Sequence, residues 1–170
     1  MLFIRRAAHL RRNAGQIAFP GGLLDDADRG DLLRTALREF EEELGVGAGA
    51  AEVVGRLPDA LVINRTVLVA PFVAVMASEP DLRVDRSEVD EAFIVPLATI
   101  VAPGALHEGI EIFAGMRIAT WQFDYGDTHI WGATARILRS LLDAAALDAP
   151  LRSALRARGV SLPTAGHGGR

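Results

Sequence analysis

RTALREFEEELGV (Arg34–Val46) follows an FPGG turn at Phe19–Gly22. These two segments indicate more about the fold and the function of the chain than any other part of its sequence. On a helix with about 100° per residue, Glu39 and Glu43 lie roughly 40° apart and Glu42 about 60° from Glu39. The apolar residues fill the adjoining arc, at Leu32, Leu33, Ala36, Leu37, Phe40 and Leu44. The segment therefore predicts an amphipathic helix that carries acidic residues beside its buried side.

The closely spaced glutamates indicate a cation site. Glutamates four residues apart repel each other by a few tenths of a kcal/mol in an isolated helix. A hard divalent cation offsets this repulsion, because Mg²⁺ binds carboxylate and phosphate oxygens. The alternative is a solvated acidic face, since glutamate is a good helix former. The upstream glycine turn favours the cation, as does Arg38, which can orient Glu42 through an i, i+4 ion pair. Glu41 lies far from the other carboxylates and is expected to face water.

These residues fill the pattern R-E-apolar-x-E-E-x-G-apolar, and by this pattern the chain resembles the Nudix hydrolases. The filled positions are Arg38, Glu39, Phe40, Glu42, Glu43, Gly45 and Val46. The first half of the signature departs from the family. Gly30 stands eight residues before Arg38, where a glutamate is usual, and the spacing from Gly22 to Arg38 is two residues longer. The loop LLDDADRGD, Leu23 to Asp31, resembles the longer version of the coenzyme A pyrophosphatase branch.

A second stretch resembles the same branch. FIRRAAHLRRNAGQIAFPGG (Phe3–Gly22) is similar to its motif L-L-T-x-R-x-x-x-L-R-x-H-x-G-Q-I-x-F-P-G-G, with Asn13 in place of histidine and Arg5 in place of threonine. HIWGATARIL (His129–Leu138) is similar to the start of a helix in that branch. The matching positions of the first motif are Arg6, Leu10, Arg11, Gly15, Gln16, Ile17, Phe19, Pro20, Gly21 and Gly22.

The resemblance implies metal-dependent hydrolysis of a pyrophosphate bond in a small-molecule substrate. The branch implies coenzyme A, cleaved to adenosine 3′,5′-bisphosphate and 4′-phosphopantetheine. Two alternatives stay open. One is a Nudix hydrolase of another nucleoside diphosphate derivative, which Asn13 and the altered VINRT segment, Val62 to Thr66, favour. The other is a non-catalytic Nudix ligand-binding module, whose usual mark is loss of the helix glutamates; they are intact here.

The resemblance also implies the metal ligands. Mg²⁺ or Mn²⁺ is expected at Glu39 and Glu43, with Glu42 as a further ligand or through bound water, and Gly21 as a backbone carbonyl ligand. The general base comes from the helix or from a later loop, where Glu88 and Glu91 are the candidates. A solvated loop acid is the alternative for either of these two. The implied catalytic residues are Arg38, Glu39, Glu42 and Glu88.

The basic segment upstream is expected to bind substrate phosphates, because arginine forks suit phosphate oxygens. For each arginine the alternative is a surface charge. The cations in this segment are Arg5, Arg6, Arg11 and Arg12. The expected substrate-binding residues are Arg6, Arg11, Gln16 and Gly22.

Composition excludes several classes of protein. The net charge is −4 and no aromatic residues interleave a basic face, which argues against nucleic-acid binding. The absence of cysteine excludes disulfides, zinc–thiolate sites and thiol nucleophiles, and is compatible with a cytoplasmic protein. The sequence contains no run of 18 apolar residues, so no membrane span is indicated, and the N-terminus lacks the apolar core of a signal peptide. The four histidines share no metal-ligand spacing.

The chain is expected to form one domain over residues 1–162, with a disordered tail over 163–170. Strands and helices follow one another as in an α/β (α+β) fold, and the resemblance implies the Nudix α/β/α sandwich with a mixed sheet. Relatives carry a helix and a strand before the first motif. The sandwich is therefore expected to lack an N-terminal helix and strand, unless the true start lies upstream. A sheet edge exposed in this way would favour a homodimer.

Local patterns predict the individual elements. A helix is expected from the N-cap Asp31 to Gly45. Val67–Met76 is expected to be a central strand covered on both faces, because it is almost entirely apolar. Two further helices are predicted at Pro96–Val101 and Ala133–Ala146. The remaining predicted strands are Leu2–Arg5, Gln16–Phe19, Val53–Leu57, Glu111–Phe113 and Arg117–Phe123.

Overall fold

The computed structural model describes residues 1–62, 67–147, 149–157 and 159–160. These residues form two compact units, one of Met1–Glu52 with Met76–Val95 and the other of Val53–Val75 with the described residues from Pro96 onward. Ten strands and four helices confirm the mixed α+β class. The single domain, the sandwich layering and its mixed sheet stay predictions. The expected tail at 163–170 and most of the VINRT segment lie outside the described residues.

The first unit is built on a three-stranded antiparallel sheet. Strand β1 (Leu2–Arg6) lies between β2 (Ile17–Ala18) and β7 (Val89–Ile94). Phe3, the second residue of β1, is fully buried and stacks on Phe19 and Phe93, with ring centroids 5.0 and 5.8 Å away. The strand thus presents one face to an aromatic core.

Helix α1 (Leu32–Leu44) confirms the predicted helix and both of its caps. The Asp31 side chain accepts hydrogen bonds from the N–H groups of Leu33 and Arg34, at 3.0 and 3.2 Å. Gly45 ends the helix in the left-handed conformation at φ 66°, which glycine adopts without steric cost. The helix packs through the buried Leu44 against Ile4, Val46 and Val89. Leu32 begins the helix and is 43% exposed, and of the apolar stripe only Leu44 is fully buried.

The second unit contains a meander of β8 (Leu106–Phe113), β9 (Met116–Tyr125) and β10 (Thr128–Trp131), in which both neighbouring pairs run antiparallel. The strands are joined by two-residue turns, first Ala114 and Gly115, then Gly126 and Asp127. Ala114, Gly115 and Gly126 have positive φ, as tight hairpin turns require. Helix α3 (Gly132–Leu147) supplies core residues to this unit. The fully buried apolar residues of the second unit include Phe123 and Ile130 on the strands and Ala135 and Leu138 on α3.

Two shorter helices and two two-stranded sheets complete the described elements. Helix α2 (Leu97–Ile100) confirms the short helix predicted after Pro96, and α4 (Ala149–Ala157) is a helix that no sequence pattern indicated. Strand β3 (Ala51–Arg56) pairs with β6 (Phe72–Met76), and β4 (Ala60–Leu61) pairs with β5 (Leu68–Val69).

The prediction of one central strand over Val67–Met76 is wrong. The segment forms β5 and β6, separated by Ala70 and Pro71. Proline has no N–H to give to a strand ladder, so the pairing stops there, while the Pro71 carbonyl accepts the N–H of Leu57 at 2.9 Å. Leu68 is 62% exposed, in contrast to a strand covered on both faces.

Within the described residues, β8 pairs only with β9, and its other edge carries no ladder. An open edge of this kind is where a second copy could pair. The homodimer stays a prediction. None of the described helices has the length and apolar character needed to cross a membrane.

A charged cluster on the meander ties its three strands together. His129 on β10 places Nδ1 2.6 Å from Asp124 Oδ1 and Nε2 2.6 Å from Glu111 Oε1. Gln122 Nε2 donates a further bond to Glu111 Oε1, at 2.6 Å. Only a protonated imidazole donates from both nitrogens. Partial burial lowers the pKa of His129, but the bonds to Asp124 and Glu111 outweigh it, so the pKa lies above its ordinary value.

Replacing His129 by Gln is expected to remove a pH-dependent part of the stability. Because the folded-state pKa is raised, the stabilisation is complete below the unfolded pKa and is lost as the pH rises through the folded pKa. For such an exposed cluster we expect about 0.2–1 kcal/mol, measured by urea unfolding of both proteins from below the ordinary histidine pKa to above the raised pKa of His129. His107→Gln, on exposed β8, is the matched control. Equal pH dependence in wild type and His129→Gln would contradict the expectation.

Candidate metal centre

Three carboxylates converge in the first unit. Side-chain oxygens of Glu39, Glu43 and Glu88 all lie within 4.8 Å of one another. Glu39 and Glu43 stand on successive turns of α1, as the helical spacing predicted, and Glu88 comes from the segment before β7. Glu43 is only 2% exposed, whereas Glu88 is open to solvent. The structure thus brings two predicted helix ligands together with one of the two loop candidates.

Glu88 is held in place by the way its segment closes the end of α1. The N–H of Arg83 donates to the Leu44 carbonyl at 2.7 Å, and the N–H of Asp85 donates to the Glu43 carbonyl at 2.9 Å. These carbonyls belong to the last turn of the helix and have no partner within it.

Asp85 then shapes the turn that leads to Glu88. Its side chain accepts from the N–H and the hydroxyl of Ser87, both at 2.8 Å, and its carbonyl accepts from the Glu88 N–H at 3.1 Å. The bonds from Ser87 lower the pKa of Asp85. The carboxylate of Glu88 is therefore directed by a hydrogen-bonded turn that is fastened to α1.

The environment of Glu43 is suited to a cation. Its Oε2 accepts the N–H of Gly21 at 2.9 Å, while its Oε1 is buried with no hydrogen-bond partner among the described residues. The pKa of Glu43 is raised to about 7, chiefly by burial and also by the negative charges of Glu39 and Glu88. The hydrogen bond from Gly21 and the charge of Arg6 oppose this rise. Burial also raises the pKa of Glu39, against its bond to Arg38.

Three carboxylates with one orphaned buried oxygen fit a hard divalent cation. A buried acceptor without a partner costs free energy, and close carboxylates repel each other. An oxygen-preferring divalent ion relieves both costs at once. Glu39, Glu43 and Glu88 are the residues that would hold such an ion.

The two glycines of the FPGG turn have different roles. Gly21 has φ 144°, a conformation that favours glycine, and supplies the N–H that Glu43 accepts. At Gly22 an added Cβ would lie 2.1 Å from Glu39 Oε2, so the missing side chain is what lets that carboxylate lie against the backbone. The turn thus positions both helix glutamates of the cluster. The Gly21 carbonyl as a metal ligand and Gly22 as a substrate contact stay predictions.

Gly22→Ala is expected to displace Glu39 and to lower kcat/KM for a pyrophosphate substrate by about 10–100-fold, the usual cost of disturbing a group that orients a metal site. Gly22 is exposed and has no positive φ, so we expect the melting temperature to change little. Gly49→Ala is the control, because a Cβ there meets nothing within 4 Å. Unchanged Mn²⁺ affinity in Gly22→Ala, measured by calorimetry, would argue against Glu39 as a ligand.

Arg38 joins α1 to the loop that follows the glycine turn. Its Nε and Nη2 donate to the two carboxylate oxygens of Asp28, at 3.1 and 3.0 Å, and Nη2 also donates to the Leu23 carbonyl at 3.1 Å. Its Nη1 lies 2.8 Å from Glu39 Oε1 and 2.7 Å from Glu42 Oε2. The predicted i, i+4 pair with Glu42 is therefore present, within a larger network. These carboxylates, Asp28 above all, raise the pKa of Arg38.

Asp28 is a buried partner of Arg38 that no sequence pattern singled out. Its side chain is buried and accepts from the Thr35 hydroxyl and the Asp25 N–H, both at 3.0 Å, as well as from Arg38. The bond from Arg38 holds the pKa of Asp28 well below its usual range. Gly30, where the signature has a glutamate, carries no side chain. The sequence did contain one signal for Asp28. The spacing from Gly22 to Arg38 is two residues longer than in the signature, and these two extra residues fall between Asp28 and Arg38.

The structure separates the other predicted carboxylates from the cluster. Glu42 is exposed and binds Arg38, and is not among the three glutamates whose oxygens converge. Glu91, the second base candidate, pairs with Arg5 at 3.3 Å. The proposed roles of Glu42 as ligand and as catalytic residue stay predictions.

Of the other predicted substrate-binding residues, Arg6 is the one whose charge acts on the cluster. Its charge lowers the pKa of Glu43, and its Nε is buried without a hydrogen-bond partner among the described residues. Arg11 is exposed on the segment between β1 and β2, and Gln16 precedes β2, where its carbonyl accepts the Arg6 N–H at 3.0 Å. Their substrate contacts stay predictions.

Comparison with known proteins now identifies the family. The family model described as NUDIX domain matches residues 1–114. The chain belongs to the Nudix family. Similar proteins include an uncharacterized Nudix hydrolase, NudL, from Escherichia coli (strain SE11) and from Shigella boydii serotype 18. Each is 37% identical over 142 residues, which span 83% of this chain and 72% of the relative.

Membership explains the acidic cluster in general terms. Nudix hydrolases cleave pyrophosphate bonds in small molecules and generally use divalent metal ions such as Mg²⁺ or Mn²⁺. The glutamates of α1 fill the second half of the Nudix signature, and in the altered first half Asp28 is the acidic residue that accepts from Arg38.

Proposed function

We propose that this Nudix hydrolase cleaves the pyrophosphate bond of coenzyme A or its derivatives, giving adenosine 3′,5′-bisphosphate and 4′-phosphopantetheine. The convergence of Glu39, Glu43 and Glu88 carries the proposal of hydrolysis. The narrower substrate rests on the segment Phe3–Gly22, which is similar to the motif of the coenzyme A branch.

The three glutamates have distinct parts in this proposal. A divalent cation held by them supplies charge stabilisation for the phosphoryl oxygens and a more acidic water. Glu39 and Glu43 lie on the rigid helix and hold their carboxylates in fixed positions, one through Arg38 and the other through Gly21. Glu88 is exposed on a separate segment, and we assign to its second carboxylate oxygen, the one that would not hold the ion, the role of general base that accepts a proton from the attacking water.

Arg6 and the exposed arginines of the same segment support an anionic substrate. Arg6 lies close enough to Glu43 to affect its charge, and its buried Nε has no partner among the described residues. A phosphate oxygen would satisfy that donor. Coenzyme A carries a third phosphate on its ribose, and we assign that group to Arg11 and Arg12, which are exposed between β1 and β2.

The test is a substrate panel with product identification. Purified protein with Mg²⁺ or Mn²⁺ is offered coenzyme A, ADP-ribose and a dinucleoside polyphosphate, and the products are identified by mass spectrometry. Preferred turnover of coenzyme A to the two products above supports the proposal. Preferred turnover of another member indicates a different Nudix substrate, and binding without turnover of any member indicates a ligand-binding module.

A second measurement isolates the ribose phosphate. In Arg11→Ala/Arg12→Ala we expect KM to rise for coenzyme A and to stay unchanged for 3′-dephospho-coenzyme A, because only the former carries the third phosphate. Equal effects on both substrates would show that these arginines act on the diphosphate or on the general field of the protein.

A further inference from the structure

Two large apolar side chains stand in solvent directly after the glycine turn. Leu23 is 70% exposed and Leu24 is 51% exposed. They follow Gly22, the residue whose backbone lies against the Glu39 carboxylate. Since successive Cα atoms are about 3.8 Å apart, both leucines begin within about 8 Å of Gly22.

The backbone around the two leucines is held from both sides. Before them, the Gly21 N–H is bonded to Glu43. At Leu23 itself, the carbonyl accepts from Arg38 Nη2 at 3.1 Å. After them, the N–H of Asp25 donates to Asp28 Oδ2 at 3.0 Å, and the Asp25 side chain accepts from the Ala27 N–H at 2.8 Å. The leucines are therefore displayed at a fixed position beside the acidic cluster.

Leucine side chains have no hydrogen-bonding group, so they add nothing to the binding of a cation or a phosphate. They can gain free energy only by covering hydrocarbon. A sugar ring presents hydroxyl groups that leucine would leave unpaired. The chemistry that matches the pair is a saturated, branched hydrocarbon attached closely to the diphosphate. The pantetheine arm of coenzyme A carries such a group, a dimethyl-substituted carbon one methylene away from its phosphate oxygen.

We propose that Leu23 and Leu24 form an apolar subsite for an aliphatic group joined directly to the scissile diphosphate. The inference rests on the proposed function, because the subsite adjoins the cluster to which hydrolysis is assigned. It makes these leucines specificity-determining residues, which favour a diphosphate with an aliphatic arm over one with a sugar on both sides.

The experiment compares wild type with Leu23→Ser/Leu24→Ser on coenzyme A and on ADP-ribose, which share an adenosine diphosphate part and differ in the other arm. If the two leucines cover two methyl groups of coenzyme A, the variant should show about a tenfold higher KM for coenzyme A. Its KM for ADP-ribose should stay unchanged. Ile110→Ser/Ile112→Ser, an exposed apolar pair on β8, is the matched control. Circular dichroism melts confirm that each variant is folded.

Calorimetric binding of both ligands in EDTA separates the subsite from catalysis. Weaker binding of coenzyme A alone by the leucine variant supports the subsite, even if no ligand is hydrolysed and the proposed function fails. Hydrolysis of coenzyme A with unchanged KM and affinity in the variant overturns the subsite and leaves the proposed function standing. An equal loss for both ligands also overturns it, because it would place the leucines against the shared adenosine part.

Discussion

Glu43→Gln is expected to lower kcat/KM by about a thousandfold, while the protein stays folded. The substitution keeps the shape of the side chain and removes the charge that would hold a divalent cation. Such a cation supplies several kcal/mol of transition-state stabilisation, and each 1.36 kcal/mol corresponds to about tenfold in rate. The measurement is steady-state kinetics with Mg²⁺ and Mn²⁺, together with Mn²⁺ binding by calorimetry.

The same variant is expected to be more stable than wild type when metal is removed. Burial raises the pKa of Glu43 from 4.5 to about 7, so the wild-type fold loses stability as the pH rises through this window. Above about pH 7 the cost of the buried charge is on the order of 3 kcal/mol, which glutamine does not incur. Glutamine can still accept the Gly21 N–H, and its amide can donate to the neighbouring carboxylates. Higher stability with lower activity is the signature of a residue kept for binding.

Glu41→Gln is the matched control, because Glu41 stands on the same helix and is exposed. It should change neither activity nor metal affinity. Turnover and Mn²⁺ affinity that survive in Glu43→Gln would rule out Glu43 as a metal ligand, and with it the reason for the cluster.

Arg38→Lys is expected to lower the melting temperature by roughly 10 °C and to reduce activity strongly. Lysine cannot bind Asp28 with two parallel bonds and at the same time reach Glu39, Glu42 and the Leu23 carbonyl. The variant would leave the buried Asp28 carboxylate with reduced compensation, and breaking a buried pair in this way is strongly destabilising. Thermal unfolding and kinetics are measured together. Arg34→Lys, one turn earlier and exposed, is the control.

A double variant separates stability from the positioning of Glu39. In Asp28→Asn/Arg38→Met the buried Asp28 carboxylate is removed together with its partner, so part of the melting temperature should return, while Glu39 loses its bond to Arg38 and activity stays low. Because the pKa of Asp28 is lowered in the fold, its contribution to stability is present above the unfolded pKa and is lost as the pH falls through the folded pKa. Full recovery of activity in the double variant would show that Arg38 serves only the fold.

Local regularities made part of this protein predictable. The helix carrying the glutamates, its N-cap Asp31 and its C-terminal Gly45 follow from residues that neighbour one another in sequence. The proximity of Glu39 and Glu43 follows from the helical repeat alone. The glycine turn could be assigned to the site, although the close approach of Glu39 to Gly22 is seen only in three dimensions.

The sequence named Glu88 and Glu91 as candidates but left open which of them joins the cluster, because that depends on contacts distant in sequence. Glu88 joins the cluster because the segment from Arg83 to Val89 bonds to the end of α1, and Glu91 faces Arg5 because of the register between β1 and β7. Glu42 satisfied the signature as well as its neighbours did, but Arg38 binds it outside the cluster. Val67–Met76 is apolar enough for a central strand, yet Pro71 divides it.

The segment that closes α1 has a further consequence. The same few backbone amides seal the last turn of the helix and present Glu88 to Glu43, and a Cβ at Gly45 would lie 2.7 Å from the Arg83 Cβ. We therefore expect fraying of that helix terminus to separate Glu88 from Glu39 and Glu43, although no glutamate has changed. The last turn of α1 and the carboxylate cluster are expected to form and to unfold together.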